Sequence, residues 1–185
     1  MTEPIFGLDD QVPMIAGSLV LRPVAVDDAS ALNRIQQDPA VHHGLGREAT
    51  PSPAVAPTDI SAIRAQRGSG PRPKFMFVIC LEDEVIGHCD VVLGADGGDL
   101  VGEPTVVIDG SNRGNGYART SLQALISWSF EHLPVMAEVW GSCVEDNVAS
   151  VRLMSSIGVE SAAQEWLLQR RQASLEVSAF EVKFD

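Results

Sequence analysis

The chain has 185 residues, 45% of them hydrophobic, and a formal net charge of −12. This length and apolar content suit a single domain with a substantial core and exclude wholesale disorder. The negative charge argues against a nucleic-acid-binding surface, but it is compatible with a cationic amine as a partner. We expect no secretory signal and no membrane span, and therefore a cytoplasmic protein. The three cysteines form no Cys-x-x-Cys pair, so we expect neither a disulfide framework nor a metal site.

The beginning of the chain predicts an extension followed by a strand and a helix. Residues 1–18 show little periodicity, and we expect an N-terminal extension ahead of one domain spanning 19–185. Residues 19–23 read as a strand that ends at its proline. Apolar residues at helical spacing follow, so we predict a helix that Asp27 or Asp28 caps and that an Asp-Pro pair stops.

The next segment, over residues 44–74, predicts loops around one short helix. Residues 44–58 are rich in Pro, Gly, Ala and Thr and are predicted to be a connector, with a helix from about 58 to 66 and a loop over 68–73. The His42-His43 pair before it has no partner visible in the sequence, and we interpret it as loop surface. Four basic residues are interpreted as solvated charges, although they could meet an acidic group: Arg64, Arg67, Arg72 and Lys74.

The remainder of the chain continues the alternation of strands and helices, with no internal repeat. The strands are recognised by alternating or continuous apolar residues, and the helices by apolar residues three and four apart. The predicted elements are strands over 75–81, 85–93 and 103–109, a helix over 116–132, a strand over 135–143, a helix over 147–157, and a terminal hairpin over 166–171 and 175–184.

The most informative stretch is the Arg-Gly-Asn-Gly-Tyr-Ala run at 113–118, between a predicted strand and a predicted helix. Two glycines at such a junction let the backbone turn tightly and leave amide groups uncovered. The first helical turn adds unpaired N–H groups and the positive end of the helix dipole. The run therefore predicts a pyrophosphate-binding loop, to which Arg113 would add a charge-assisted contact. It lacks the Gly-Lys-Ser/Thr of a Walker loop and the third glycine of the Rossmann pattern.

Several landmarks together resemble the GNAT superfamily of acyl-CoA-dependent N-acyltransferases. Its signature, [Arg/Gln]-x-x-Gly-x-[Gly/Ala], is matched by Arg113, Gly116 and Ala118. The order of five landmarks resembles the RimJ/RimL-like branch, the ribosomal-protein N-terminal acetyltransferases and their relatives. These landmarks are Leu21-Arg22-Pro23, Asp28-Ala29, Ile86-Gly87, the run at 113–118, and Asn147 to Ser150 with Gly158.

The resemblance implies an α+β GNAT fold. Its central, mostly antiparallel sheet would have six to seven strands splayed in a V, flanked by about four helices. It also implies acetyl-CoA as co-substrate, an amine acceptor and no metal. Members of the family are often homodimers, and the oligomeric state of this chain stays open. Pantetheine would lie in the V against strand backbone, and the segment at 44–74 would form one wall of the acceptor site. The residues implied to bind acetyl-CoA are Val106, Val107, Ile108, Arg113, Gly114, Asn115, Gly116, Tyr117, Ala118, Asn147 and Ser150.

Amide acylation requires that the departing thiolate be protonated or hydrogen-bonded. Many members of the family use a Tyr seven residues beyond the Asn, but Met154 stands at that position and cannot donate a proton. The resemblance instead implies Ser150, whose hydroxyl in a first helical turn can donate to sulfur. A purely structural place in the helix cap is the other interpretation of Ser150. Asn147 either caps the helix or bonds the pantetheine amide, and both remain open.

Amide acylation also requires that the attacking amine lose its proton. Glu103 aligns with an acidic position common in the branch and is the predicted base. His88 and Asp90 share one face of their strand and form a rival pair, with His88 titrating in a useful range. Glu138 is a third candidate.

These observations favour an acetyl-CoA-dependent N-acetyltransferase acting by direct transfer to a primary amine. The acceptor would be a protein N-terminus or a small amine, including an amine antibiotic. The alternative is a GNAT-fold sensor or interaction protein that binds acyl-CoA without turnover, because the usual Tyr is missing.

Overall fold

Eight strands form one sheet in the computed structural model, which describes residues 13–45, 72–96, 99–133, 136–144, 146–162 and 165–170. The strands are β1 (Met14–Ala16), β2 (Leu19–Pro23), β3 (Lys74–Leu81), β4 (Glu84–Asp96), β5 (Asp99–Ile108), β6 (Met136–Ser142), β7 (Val159–Ala162) and β8 (Glu165–Arg170). The helices within these residues are α1 (Ala29–Gln36), α2 (Pro39–Gly44), α3 (Tyr117–His132) and α4 (Val148–Ile157). None of the described helices is long and apolar enough to cross a membrane.

The sheet has the order β1-β2-β3-β4-β5-β6-β8-β7. Every neighbouring pair is antiparallel except β5 and β6, which are parallel. The predicted α+β class is therefore confirmed. The eight strands exceed the six to seven predicted because β1 and β7 have only three and four residues, too few to show a pattern. β1 lies inside the predicted N-terminal extension, so three residues of that segment pair with the sheet.

The V-shaped splay arises where β5 and β6 part. Their ladder joins Leu100 to Met136, Val101 to Glu138, and Gly102 to Val139. Beyond Gly102, β5 continues along β4 as far as Ile108, while β6 continues along β8. The two strands are thus joined at one end and diverge toward the other.

The core lies on both faces of the sheet, which explains why β3 is buried at six consecutive positions. On one face, Phe75 and Phe77 pack against Trp128 of α3, with ring centroids 5.7 and 4.9 Å apart. On the other face, α1 contributes Leu32 and Ile35 to a second buried cluster. The predicted inner face of α1 is thereby confirmed at Leu32 and Ile35, whereas the burial of Trp128 adds to the inner face predicted for α3.

Asp28 occupies the N-cap position of α1, where the sequence predicts a capping side chain, but its side chain has a different role. Asp28 does not cap α1 through its side chain. Its carboxylate accepts from the backbone N–H of Ala25 at 2.7 Å and from two guanidinium nitrogens of Arg22 at 2.7 and 2.8 Å. The first two landmarks of the sequence are therefore joined by a bidentate ion pair that holds the turn after β2.

The Asp38-Pro39 pair starts a helix as well as ending one. Asp38 accepts from the N–H of Ala40 at 2.9 Å, and Pro39 occupies the first turn, so α2 begins here. The interpretation of His42-His43 as loop surface is therefore wrong. His42 is buried within α2, and His43 is an exposed helical residue. The predicted connector at 46–58, the helix at 58–66, the loop at 68–71 and the last strand at 175–184 lie outside the described residues.

Candidate active site

A cleft of about 780 Å³ fills the gap between the diverging ends of β5 and β6. One wall is the end of β5, and the other is the segment after β6 with the start of α4. The loop before α3 and residues of α2 complete the lining. The cleft therefore combines a strand edge, a glycine loop and a helix start in one continuous site.

The loop before α3 has the backbone geometry that the sequence predicts. Gly114 and Gly116 have φ angles of +82° and +80°, in the left-handed region that favours glycine. Both line the cleft. The N–H of Thr120 donates to the carbonyl of Gly116 at 3.1 Å, so the amides of Tyr117 and Ala118 precede the first intrahelical bond. A loop with uncovered amides at a helix start suits an anionic group.

Asn115 braces this loop from outside. Its side-chain amide donates to the carbonyls of Asn112 at 3.1 Å and Arg113 at 3.3 Å. The side chain thus fixes the loop shape, and any part that Asn115 takes in ligand binding falls to its backbone.

Arg113 is bound to protein groups at the mouth of the cleft. Its Nε donates to the carbonyl of Ile108 at 3.0 Å, and a terminal nitrogen lies 2.7 Å from the Asp38 carboxylate. The side chain is 41% exposed. The sequence predicts an electrostatic contact between Arg113 and a pyrophosphate, whereas the structure pairs the guanidinium with Asp38.

The end of β5 has one paired edge and one edge that borders the cleft. Val106, Val107 and Ile108 pair with β4, and all three line the cleft. In the described part of the chain, the ladder on the other side stops at Gly102. Backbone groups on that edge are suitably disposed for an extended, amide-bearing ligand. The Ile108 carbonyl is the exception, because Arg113 already bonds it.

Asn147 is the N-cap of α4, which answers one alternative left open by the sequence. Its side-chain oxygen accepts from the N–H of Ser150 at 3.1 Å. Its side-chain nitrogen donates to the carbonyl of Gly44 at 3.3 Å, so the residue also reaches α2. Its second amide hydrogen and the second lone pair of its side-chain oxygen are left for a ligand. Ser150 and Met154 lie one helical turn apart on α4, and both line the cleft.

A rim, formed by His43 and Gly44 of α2 with Asp146 and Asn147 before α4, crosses the cleft. Nε2 of His43 lies 3.3 Å from the Asp146 carboxylate, beside the Asn147–Gly44 bond. Sequence reasoning missed this rim because the Asn147–Gly44 partners are 103 residues apart. The adjacent Asp38-Pro39 cap was the local signal that a helix begins before His43.

Glu103 is the candidate base that lines the cleft among the described residues. Its side chain is 55% exposed, with one oxygen 3.3 Å from Arg72 and the other 3.5 Å from the Ser142 hydroxyl. The rival candidates occupy other environments. The Asp90 carboxylate is buried 3.2 Å from Lys74 Nζ, and Glu138 accepts from the Trp140 indole at 2.6 Å.

His88 is buried between two neighbouring strands of the sheet. Its register partners are Val78 on β3 and Val107 on β5, which share its face and belong to the second core cluster. The predicted sharing of one face by His88 and Asp90 thus places both in the sheet interior. Neither is among the described residues that line the cleft.

The three thiols lie in two kinds of surroundings. Cys80 and Cys89 are buried, and burial raises the pKa of each thiol above its ordinary value. Cys143 is half-buried and lines the cleft, which the sequence did not indicate. No group of three or more His, Cys, Asp and Glu side chains suited to a metal ion occurs within the described ranges.

The fold is similar to several solved acetyltransferases. RimJ of Mycobacterium smegmatis, in complex with CoA-disulfide, has a TM-score of 0.64 at 22% identity, covering 84% of this chain and 83% of that one. An acetyltransferase of Salmonella typhimurium that modifies the N-terminal serine of ribosomal protein L7/L12 has a TM-score of 0.63 at 17% identity, covering 78% and 83%. Spermidine N-acetyltransferase of Vibrio cholerae, in complex with CoA and spermine, has the same four values. At these identities the likeness concerns the fold.

Family membership is established by a separate comparison. No curated protein sequence matches the chain. The family model of the acetyltransferase (GNAT) domain matches residues 18–160, which is most of the chain and includes the cleft, the glycine loop and α4. The chain therefore belongs to the GNAT family of acetyltransferases.

Proposed function

We propose that the protein is an acetyl-CoA-dependent N-acetyltransferase in which a primary amine attacks the thioester directly. One observation carries the proposal. The cleft between β5 and β6 leads from an open strand edge to the left-handed glycines Gly114 and Gly116. A cleft that runs along a strand edge to a glycine loop with uncovered amides suits a ligand with an amide-bearing arm joined to a pyrophosphate.

The backbone of β5 and the loop would divide the binding of acetyl-CoA between them. Val106, whose backbone groups face the open edge, would pair with the pantetheine amides, and an N–H on that edge would polarise the thioester carbonyl. The amides of Gly116, Tyr117 and Ala118 would meet the pyrophosphate. Arg113 would contribute once it exchanges its exposed bond to Asp38 for one to phosphate, which costs little because exposed ion pairs are weak.

Glu103 would accept a proton from the amine, and Ser150 would donate a hydrogen bond to the departing thiolate. Glu103 accepts a proton from the ammonium group, directly or through water, and leaves a neutral amine. The nitrogen then bonds to the acetyl carbon while the carbon–sulfur bond breaks. The nitrogen loses its second proton, and the thiolate gains one with the Ser150 hydroxyl as hydrogen-bond donor. The products are an amide, free CoA and one proton released from Glu103 to solvent.

The acceptor class proposed is a primary amine, either a protein N-terminus or a small amine. Two proteins whose solved structures have a similar fold act on acceptors of these two classes. One modifies the N-terminal serine of a ribosomal protein, and the other is a spermidine N-acetyltransferase. The net charge of −12 favours the approach of a cationic acceptor.

Thermal unfolding with and without acetyl-CoA tests the binding half of the proposal. Ligand at about 100 times its dissociation constant adds roughly 2.7 kcal/mol, or roughly 5–10 °C for a chain of this size. Gly116→Glu should abolish the shift. Gly17→Glu is the matched control, because Gly17 also has a positive φ of +62° but lies in the turn between β1 and β2. No shift in the unmodified protein at millimolar acetyl-CoA would refute the proposal.

A sensor that binds acyl-CoA without turnover is the second candidate. Met154 at the position of the usual Tyr and the Arg72–Glu103 ion pair favour it. CoA release measured with a thiol reagent over a panel of amines distinguishes the two. An enzyme releases CoA with at least one amine, and Glu103→Gln slows that release while the thermal shift persists. A sensor shows the shift and releases no CoA.

A further inference from the structure

A second pocket, of about 370 Å³, opens beside the cleft. It is lined by Arg72, Lys74, Val92, Glu103 and Thr105. Glu103 and Thr105 line the main cleft as well. Because the two cavities share these residues, a molecule in the second pocket would lie next to the end of β5, where the thioester would lie.

The register of the sheet builds this pocket. Lys74 on β3 pairs with Val92 on β4, and Val92 pairs with Glu103 on β5. Residues directly opposite one another on adjacent strands share a face, with their Cβ atoms about 5 Å apart. The three side chains therefore form one row across the sheet, and Thr105 belongs to the next row.

Two ion pairs that differ in exposure lie at the pocket. Lys74 is 3.2 Å from Asp90, whose side chain is 3% exposed, so this pair is anchored in the sheet. Arg72 is 3.3 Å from Glu103, and both side chains are more than half exposed. Such an exposed pair contributes little, so a ligand can displace it easily. The pocket thus has one fixed pair and one exchangeable pair.

We propose that the pocket selects an acceptor whose amine carries a carboxylate within a few bonds, as in a free amino acid. The ammonium group takes the place of Arg72 beside Glu103, and the carboxylate takes the place of Glu103 beside Arg72. One weak pair is exchanged for two charge-assisted contacts, one of them suited to bidentate geometry. A polyamine offers no anion and places a positive charge near Arg72, which opposes binding.

The exchange also explains how Glu103 becomes available as a base. In the free protein its carboxylate contacts Arg72, and the acceptor carboxylate draws that guanidinium away. The ammonium proton then passes to Glu103 and the neutral nitrogen attacks, as in the proposed reaction. The inference rests on that reaction and adds the substrate class.

Matched acceptors test the selection. Leucine and leucinamide differ in the carboxylate. The amine of leucinamide is also less basic and loses its proton more readily, so basicity alone would make leucinamide the faster acceptor. We expect kcat/KM for leucine to exceed that for leucinamide and for isoamylamine by at least about tenfold, the scale of one charged hydrogen bond. A peptide with a neutral N-terminal segment should be no better than leucinamide.

The variant Arg72→Gln should lower the ratio of leucine to leucinamide kcat/KM by about tenfold. Arg152→Gln removes the same charge from an exposed position on α4 and should leave the ratio unchanged. An equal loss for both acceptors in Arg72→Gln would indicate a merely structural role and would overturn the inference.

The outcomes separate this inference from the proposed function. A higher kcat/KM for amides, amines or peptides than for amino acids overturns the proposed selection of amino acids, while the proposed N-acetyltransferase activity stands. Absence of both CoA release and a thermal shift with acetyl-CoA overturns the two together.

Discussion

A guanidinium nitrogen of Arg113 lies 2.7 Å from the carboxylate of Asp38, 75 residues earlier in the chain. The same carboxylate accepts from the N–H of Ala40 at the start of α2, and Nε of Arg113 donates to the carbonyl of Ile108 at 3.0 Å. Two side chains thus connect α2, the end of β5 and the glycine loop. These elements form three parts of the cleft lining, and this connection links them to one another in the free protein.

Asp38→Ala should destabilise the protein because it removes a helix cap and an ion pair together. Loss of an N-cap costs about 0.5–2 kcal/mol, which corresponds to a fall in Tm of roughly 1–8 °C at this chain length. Thermal unfolding measures it. Glu84→Ala is the control, since Glu84 is 71% exposed and lies 3.7 Å from Arg34. Equal Tm values for the two variants would contradict the connecting role of Asp38.

Gly87→Ala should be destabilising because β4 and β5 approach closely at this position. A Cβ on Gly87 would lie 2.3 Å from the carbonyl oxygen of Val107, so backbone must move. Overpacking of this kind costs about 1–3 kcal/mol. The shift would also displace the cleft-lining edge of β5, and the stabilisation by acetyl-CoA should shrink with it.

Gly94→Ala is the matched control on the same strand. A Cβ there meets nothing within 4 Å, and we expect the Tm of this variant to stay close to that of the unmodified protein. A tolerated Gly87→Ala would show that β4 and β5 can separate without cost, contrary to the packing described above.

The Arg22–Asp28 pair should make stability depend on acidic pH. Burial alone would raise the pKa of Asp28, but hydrogen bonds from Arg22 and the Ala25 N–H outweigh it and hold the pKa below its ordinary value of 3.8. A carboxylate with a lowered pKa in the folded state stabilises fully above the unfolded pKa. That contribution is lost as the pH falls from about 4 through the folded pKa.

Asp28→Asn should therefore lower the free energy of unfolding at pH 7, and the difference from the unmodified protein should narrow below about pH 4. Denaturant unfolding at several pH values measures both effects. The neighbouring exposed Asp27→Asn serves as control. A difference that stays constant down to pH 2 would mean that packing, not charge, explains the loss.

Ser150→Ala should lower kcat while binding of acetyl-CoA persists. Alanine keeps the backbone N–H that Asn147 caps, so α4 should begin at the same residue. A hydrogen bond to a charged group contributes about 1.5–3 kcal/mol, so its loss should lower kcat by about 10- to 10²-fold. Steady-state CoA release and the thermal shift are the two measurements, with Ser155→Ala, exposed on the same helix, as control. An unchanged kcat would show that Ser150 has only a structural role in α4.

Local features of the site could be predicted from the sequence. Two glycines separated by one residue between an apolar strand and a helix require an unusual turn, and both Gly114 and Gly116 adopt it. The helix that starts at Tyr117 buries Leu122, Leu125 and Ile126 as their spacing predicts. Each of these inferences needs only the residues within a few positions of one another.

The partners of side chains could not be predicted, because the tertiary fold determines them. Arg113 was expected to contact a ligand, yet Asp38 approaches it through the packing of α2. The sequence leaves two roles open for Asn147, a helix cap or a bond to the pantetheine amide. Its contact with Gly44 depends on how two helices meet across the cleft. The Asp38-Pro39 pair predicts the end of a helix because the residue before a proline disfavours helical backbone, although the same pair can also begin a helix.

The gap between β5 and β6 amounts to an edge inside a sheet. Unpaired strand edges invite pairing with other chains and hence aggregation, and proteins usually shield them. Here the shield is the rim, in which His43 meets Asp146 and Asn147 meets Gly44. A foreign polypeptide strand carries side chains on both of its faces and needs more room than a slender ligand arm. We therefore expect the cleft to admit a slender ligand arm more readily than another strand, although on an outer edge of the sheet the same break in the ladder would favour aggregation.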